Sequence, residues 1–159
     1  MWKFCNPLLA ALFALLLGAC QDAGPQISGT APSAVRDFAI EFASLHGNRV
    51  PPIESTFKFF HWEAVLPKTR EAILRSLAYD LETPVKHMHI EPWDPQNALQ
   101  FFGSQYTSNL EPRWVIHLHY DSDPLHMLSL PVGQTASGEI RIANPIPIQS
   151  NPALDHVSR

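Results

Sequence analysis

The chain has 159 residues, a formal net charge of −4 and only 16% charged residues against 45% hydrophobic ones. One domain's worth of sequence is present. No basic block is available to neutralise phosphates, so nucleic acid is excluded as a partner.

The N-terminus opens with Lys3 as a thin positive region, followed by the uninterrupted apolar run 8–17 (LLAALFALLL). That run is too short to span about 30 Å of hydrocarbon, which takes about 20 residues. It has the length of a signal-peptide core, and the small residues Gly18 and Ala19 precede Cys20. Leu17-Gly18-Ala19-Cys20 resembles the lipobox of bacterial lipoproteins. The resemblance covers residues 1–20 only. It implies removal of residues 1–19, acylation of Cys20 (palmitate among the chains) and a mature protein partnered with the membrane through that cysteine. Gln21, where Asp would resemble an inner-membrane retention signal, points to the outer membrane of a Gram-negative envelope. Lys3 is the only charge in residues 1–19, so the mature chain is one unit more negative. Cys5 is lost and Cys20 is acylated, which leaves no disulfide and no thiol nucleophile.

Residues 20–32 hold the lipidated cysteine and a segment with Ile27 as its one large apolar side chain, which reads as a flexible tether. A single domain is expected over 33–149. Val35, Phe38, Phe42 and Leu45 at 3,4,3 spacing predict a helix over 33–46, with Ser33 as its N-cap and Gly47 as its end. Residues 48–54 contain Pro51-Pro52 and predict a loop. Residues 55–66 (STFKFFHWEAVL) fit a strand by alternation, with a short helix as the competing reading. Pro67 to Leu81 predicts a second helix, with Pro at its first position and Ile73, Leu74, Leu77, Ala78 and Leu81 as its apolar stripe. Arg70, Glu71, Arg75 and Asp80 then form its solvated face.

Strands are predicted over 85–91, 113–121, 125–132 and 139–148, with a turn or two of helix over 97–103 and a polar tail over 150–159. Pro145 and Pro147 place the last strand's end at a sheet edge. The fold class is α+β: two N-terminal helices packed on one face of a mostly antiparallel sheet. In order of elements the domain resembles the NTF2-like and cystatin-like folds.

Four of the eight histidines form two matched pairs, His87-Met88-His89 and His117-Leu118-His119. Residues i and i+2 of a strand share a face. Val85, His87, His89 and Glu91 therefore lie on one side of their strand. Val115, His117, His119 and Asp121 lie on one side of theirs, opposite Trp114, Ile116, Leu118 and Tyr120. If the two strands are neighbours, the imidazoles meet, and imidazole is a preferred ligand of Zn²⁺ and Cu²⁺. Glu91, Asp121, Asp123 and His126 are close enough in sequence to complete or polarise such a site. Phe59, Trp62, Trp93 and Phe101 are candidates to line a ligand groove, with core packing as the competing reading.

No nucleophile elbow, phosphate loop or dinucleotide fingerprint is present. No catalytic residue is therefore assigned, and no cofactor is expected beyond Zn or Cu. The functional expectation is a non-catalytic envelope lipoprotein that binds an envelope protein partner or a small ligand, or assists envelope assembly. The alternative is a periplasmic Zn- or Cu-binding protein that uses the two His-x-His strands.

Overall fold

The computed structural model describes residues 25–48, 53–120 and 126–148. Cys20, Asp121, Asp123 and the tail 150–159 lie outside the described residues. The fold is α+β, as its sequence predicts: helices and a five-stranded sheet in which every pairing but one is antiparallel. We label the elements β1 (Gln26–Gly29), α1 (Ser33–Ala43), α2 (Ile53–Thr56), α3 (Pro67–Leu81), β2 (Val85–Pro92), α4 (Ala98–Phe102), β3 (Tyr106–Ser108), β4 (Pro112–Tyr120), β5 (Met127–Gln134), β6 (Ile140–Ile142) and β7 (Pro145–Pro147). The large sheet runs β1-β2-β4-β5-β6, and β3 pairs with β7 in a separate ribbon. Among the described residues, no helix is long and apolar enough to cross a membrane.

One face of the large sheet carries the core. Met88 and Ile90 from β2, Ile116, Leu118 and Tyr120 from β4, and Leu130 and Val132 from β5 are buried with Val35, Ala39 and Phe42 of α1 and Leu77 and Leu81 of α3. The apolar spacing of both helices therefore does what the periodicity predicts. Pro67 takes the first position of α3, where its missing N–H has no intrahelical partner to lose. Ser33 is not the cap of α1: Pro32 holds that place, and Ser33 is the first helical residue. Gly47, at φ +77°, ends the α1 region and donates its N–H to Leu81 O at 2.8 Å, which ties the helix ends together.

Further expectations are corrected. The tether segment is partly structured, because Gln26–Gly29 forms an edge strand parallel to β2. Such pairing with residues 61 positions away leaves no trace in local composition. Residues 53–59 form α2 and a 3₁₀ turn (Phe57–Phe59), so the helical reading of the aromatic segment prevails there. Phe59 then points into the core against Phe42, with ring centroids 5.2 Å apart. Val85 leaves the histidine face: a bulge between Val85 and His87 sets it opposite Tyr120, packed on the core. Asp80, read as solvated, is 6% exposed and paired with His126 at 3.0 Å.

The expected last strand is two. It breaks at Ala143-Asn144, where buried Asn144 donates from Nδ2 to His61 O at 2.8 Å and from its N–H to Asn109 Oδ1 at 2.8 Å. That clasp turns the chain out of the large sheet, and β7 pairs with β3 instead.

Gly29 closes β1 at φ +89°, and a Cβ there would stand 1.9 Å from Ile90 O. No L side chain fits this backbone approach. Gly29→Ala is expected to destabilise the domain by on the order of 1–3 kcal/mol, the usual range for a strained φ. Urea unfolding measures it, and an unchanged midpoint would mean that residues 26–29 do not pair with β2.

Candidate functional site

The face of the sheet opposite the core is built by period-two alternation. Each buried residue of β2 and β4 is flanked by residues aimed the other way, and in β2 and β4 those residues include the four histidines. Antiparallel register sets His87 directly opposite His119 and His89 directly opposite His117. The ring centroids are 5.6 Å apart in the first pair and 6.1 Å in the second, where the rings stack.

The outer strands extend the same rows. Ser28 of β1 is opposite His89, and Ser129 of β5 is opposite His117, which gives a cross-sheet row Ser28–His89–His117–Ser129. Both hydroxyls contact imidazole nitrogens: Ser28 Oγ lies 3.0 Å from His89 Nδ1 and 3.1 Å from His87 Nε2, and Ser129 Oγ lies 2.8 Å from His117 Nδ1. Glu91, two residues beyond His89 on β2, reaches back over the row. Its carboxylate is 3.2 Å from His117 Nε2 and 3.7 Å from His89 Nε2.

The face is partly sheltered. The His117 side chain is 15% exposed, against 40% for His89 and 46% for Glu91. Burial is the largest cause that lowers the pKa of His119, followed by the charges of His87, His117 and His89. Beside the row lies a hollow of about 450 Å³, lined by Glu91, His117 and Ser129 with Asn97, Gln100, Phe101 and Met127. Among the described residues, no group of three or more His, Cys, Asp or Glu side chains is placed so as to hold a metal ion without rearrangement. What the face offers as it stands is four imidazoles and one carboxylate, joined by hydroxyls that either donate or accept.

The structure thus brings His87, His89, His117, His119 and Glu91 together. His126 is elsewhere: it packs on Tyr120, with centroids 4.8 Å apart, and pairs with Asp80 on the core side. The four aromatic groove candidates fall into two sets. Phe59 is buried in the core, and Trp62 stacks on Phe60 beneath the Arg70 guanidinium. Trp93 and Phe101 instead pack edge to face at 5.2 Å, and only Phe101 lines the hollow. Ser28 and Ser129 are absent from the sequence-based candidates. The alternation Met127, Ser129, Pro131 along β5 carries a signal for Ser129; nothing in the sequence points to Ser28.

A second polar cluster lies at the far end of β4. Tyr120 Oη is 3.4 Å from His46 Nε2, and His46 Nδ1 is 3.2 Å from Phe42 O. Burial raises the pKa of Tyr120, with Asp80 adding to it. Burial also raises that of Asp80, with His126 opposing. His46 is pushed down to about 4 by burial, only partly offset by the carbonyls of Phe42 and Ala43.

In comparison with known proteins, no protein family, no curated protein and no solved structure matches this chain.

Because folded His46 resists protonation that the unfolded chain accepts near pH 6.5, its contribution is present above that pH. It is lost as pH falls towards 4, up to about 3 kcal/mol. Asp80 acts in the opposite sense, so a comparison at one site is needed. His46→Gln is expected to flatten the dependence of the denaturant midpoint between pH 6.5 and 4. An unaltered slope would show that His46 is not buried in its neutral form.

Proposed function

We propose that this chain is a lipid-anchored bacterial envelope protein that binds Zn²⁺ or Cu²⁺ on the imidazole face of its sheet and acts by binding rather than turnover. The observation that carries the reading is the register of β2 against β4, which sets His87 opposite His119 and His89 opposite His117. Directly opposed side chains have Cβ atoms about 4.5–5.5 Å apart, within reach of a shared ion. Imidazole is a borderline-soft donor suited to both metals. The anchoring half rests on Leu17-Gly18-Ala19-Cys20 after an apolar core of signal-peptide length. Acyl chains contribute about 0.8 kcal/mol per buried methylene, so several chains on one cysteine would hold the protein firmly at the bilayer, the outer membrane by the absence of Asp after Cys20.

Calorimetric titration of the untagged, chelator-stripped full chain in detergent tests the metal half. Stoichiometric binding tighter than about 1 μM, or about −8 kcal/mol, is expected and should vanish when His87, His89, His117 and His119 are all changed to Ala. Weaker binding, or binding indifferent to those changes, would sink it. The anchoring half has its own test: Cys20→Ser should move the chain from the detergent phase to the aqueous phase on cloud-point separation. Unchanged partitioning would refute the lipid anchor.

A further inference from the structure

Five donors crowd the imidazole face, and they are not equivalent. Two of the rings face the same carboxylate: His117 Nε2 lies 3.2 Å from Glu91 Oε1 and His89 Nε2 lies 3.7 Å from Glu91 Oε2. We infer that these three are the protein ligands of a Zn²⁺ centre whose fourth position is open to the neighbouring hollow and takes a small anionic ligand; this rests on the metal binding proposed above.

Distances support the set. A tetrahedral Zn²⁺ site with bonds of about 2.0–2.1 Å has donor–donor edges of about 3.3 Å. The nitrogen-to-carboxylate separations, 3.2 Å from His117 Nε2 to Oε1 and 3.7 Å from His89 Nε2 to Oε2, are close to that edge but end on different oxygens, so the carboxylate must turn to present one oxygen to both rings. Completing the third edge requires the two stacked imidazoles to lean together. The residues that must move are the exposed ones, His89 and Glu91, while His117 is held in place among its neighbours.

The second observation is what faces the opposite ring nitrogens. A ligating histidine usually gives its other N–H to an acceptor, which fixes tautomer and ring orientation. Ser28 Oγ donates to Met88 O at 3.4 Å and so has lone pairs free to accept from His89 Nδ1 and His87 Nε2. That assignment leaves the His89 Nε2 lone pair for the metal. His117 is served in the same way by Ser129, at 2.8 Å from Nδ1. When the ion displaces the proton from His117 Nε2, the neutral ring keeps its proton on Nδ1 and the Ser129 hydroxyl rotates to accept it. Ser28 engages His87 through Nε2 instead, which takes that nitrogen out of the ligand set.

Two neutral imidazoles and one carboxylate leave a net charge of +1 on the bound ion. Glu91, His117 and Ser129 line the hollow together with the amide side chains of Asn97 and Gln100. An anionic donor entering there neutralises the ion and finds amide N–H groups for its remaining lone pairs. This is the three-ligand form of Zn²⁺ site that keeps an exchangeable position, as opposed to the closed four-ligand form.

The test uses single variants of the untagged full chain, with Zn²⁺ and Co²⁺ as the metals and azide as the anionic probe. Glu91→Gln, His89→Ala and His117→Ala should each weaken Zn²⁺ binding by more than about 100-fold, beyond the 10–100-fold typical of losing an outer partner, and Ser129→Ala should fall within that range. His87→Ala should change it less than about threefold. Azide should shift the visible spectrum of the Co²⁺-loaded protein saturably. Thermal unfolding of each metal-free variant checks that the fold is intact, and Glu91→Gln, nearly isosteric, keeps the test valid if a histidine variant does not fold. Equal losses at all four histidines with none at Glu91 would overturn this ligand set while leaving a four-imidazole site. A Co²⁺ spectrum indifferent to azide would overturn the open position. No metal binding by the unaltered chain would remove the underlying reading itself.

Discussion

The antiparallel ladder between β2 and β4 is the constraint from which the rest follows. Its hydrogen bonds fix which residues stand opposite one another, and the two-residue period of a strand fixes which face each one takes. One register puts Met88 against Leu118 and Ile90 against Ile116 on the side covered by the helices, and the imidazole pairs on the other. A slip of one residue would exchange the faces, burying four histidines and exposing the core. Packing of the core is therefore what aligns the histidines, and the site sits on the back of two strands whose other face is buried.

Much of this was legible from local pattern. The alternation over 113–121 and the doubled His-x-His spelling show which side chains share a face, and the 3,4,3 spacing shows the buried side of α1. Strand adjacency was not legible, because residues 92–112 intervene and nothing in either strand names its partner. Ser28 stayed hidden for a related reason: four residues of weak propensity, QISG, become a strand only because β2 presents an open edge to them. Val85 was misplaced because a bulge breaks the alternation within one step. Asp80 looked like a surface residue of α3 because helical periodicity cannot foresee a histidine arriving from β5's leading end.

The two polar clusters place different demands on the fold. On the core side, His46, Tyr120 and Asp80 are buried, and burial disfavours the charged form of each. Asp80 and His126 face each other at 3.0 Å, and for Asp80 the cost of burial outweighs the attraction of the imidazole. Among the described residues, no buried side-chain nitrogen or oxygen lacks a hydrogen-bond partner, so these groups are satisfied and specify how α1, α3 and β4 meet. The imidazole face is the reverse case. Its donors are half-buried, its hydroxyls can reverse their role, and its carboxylate serves two rings at once.

The early entry of β1 into the sheet also sets a length. Gln26, the first residue of that strand, lies six positions beyond Cys20. Fully extended, that stretch spans at most about 20–22 Å. Under the proposed acylation of Cys20, this leash would keep the edge of the imidazole face close to the lipid surface. Phosphate headgroups concentrate divalent cations in that same thin layer, within a few Debye lengths of about 8 Å. The domain would then meet ions at the density of the membrane's counter-ion cloud and not at that of the bulk fluid. An ion leaving the proposed metal site would then tend to be recaptured before it diffused away.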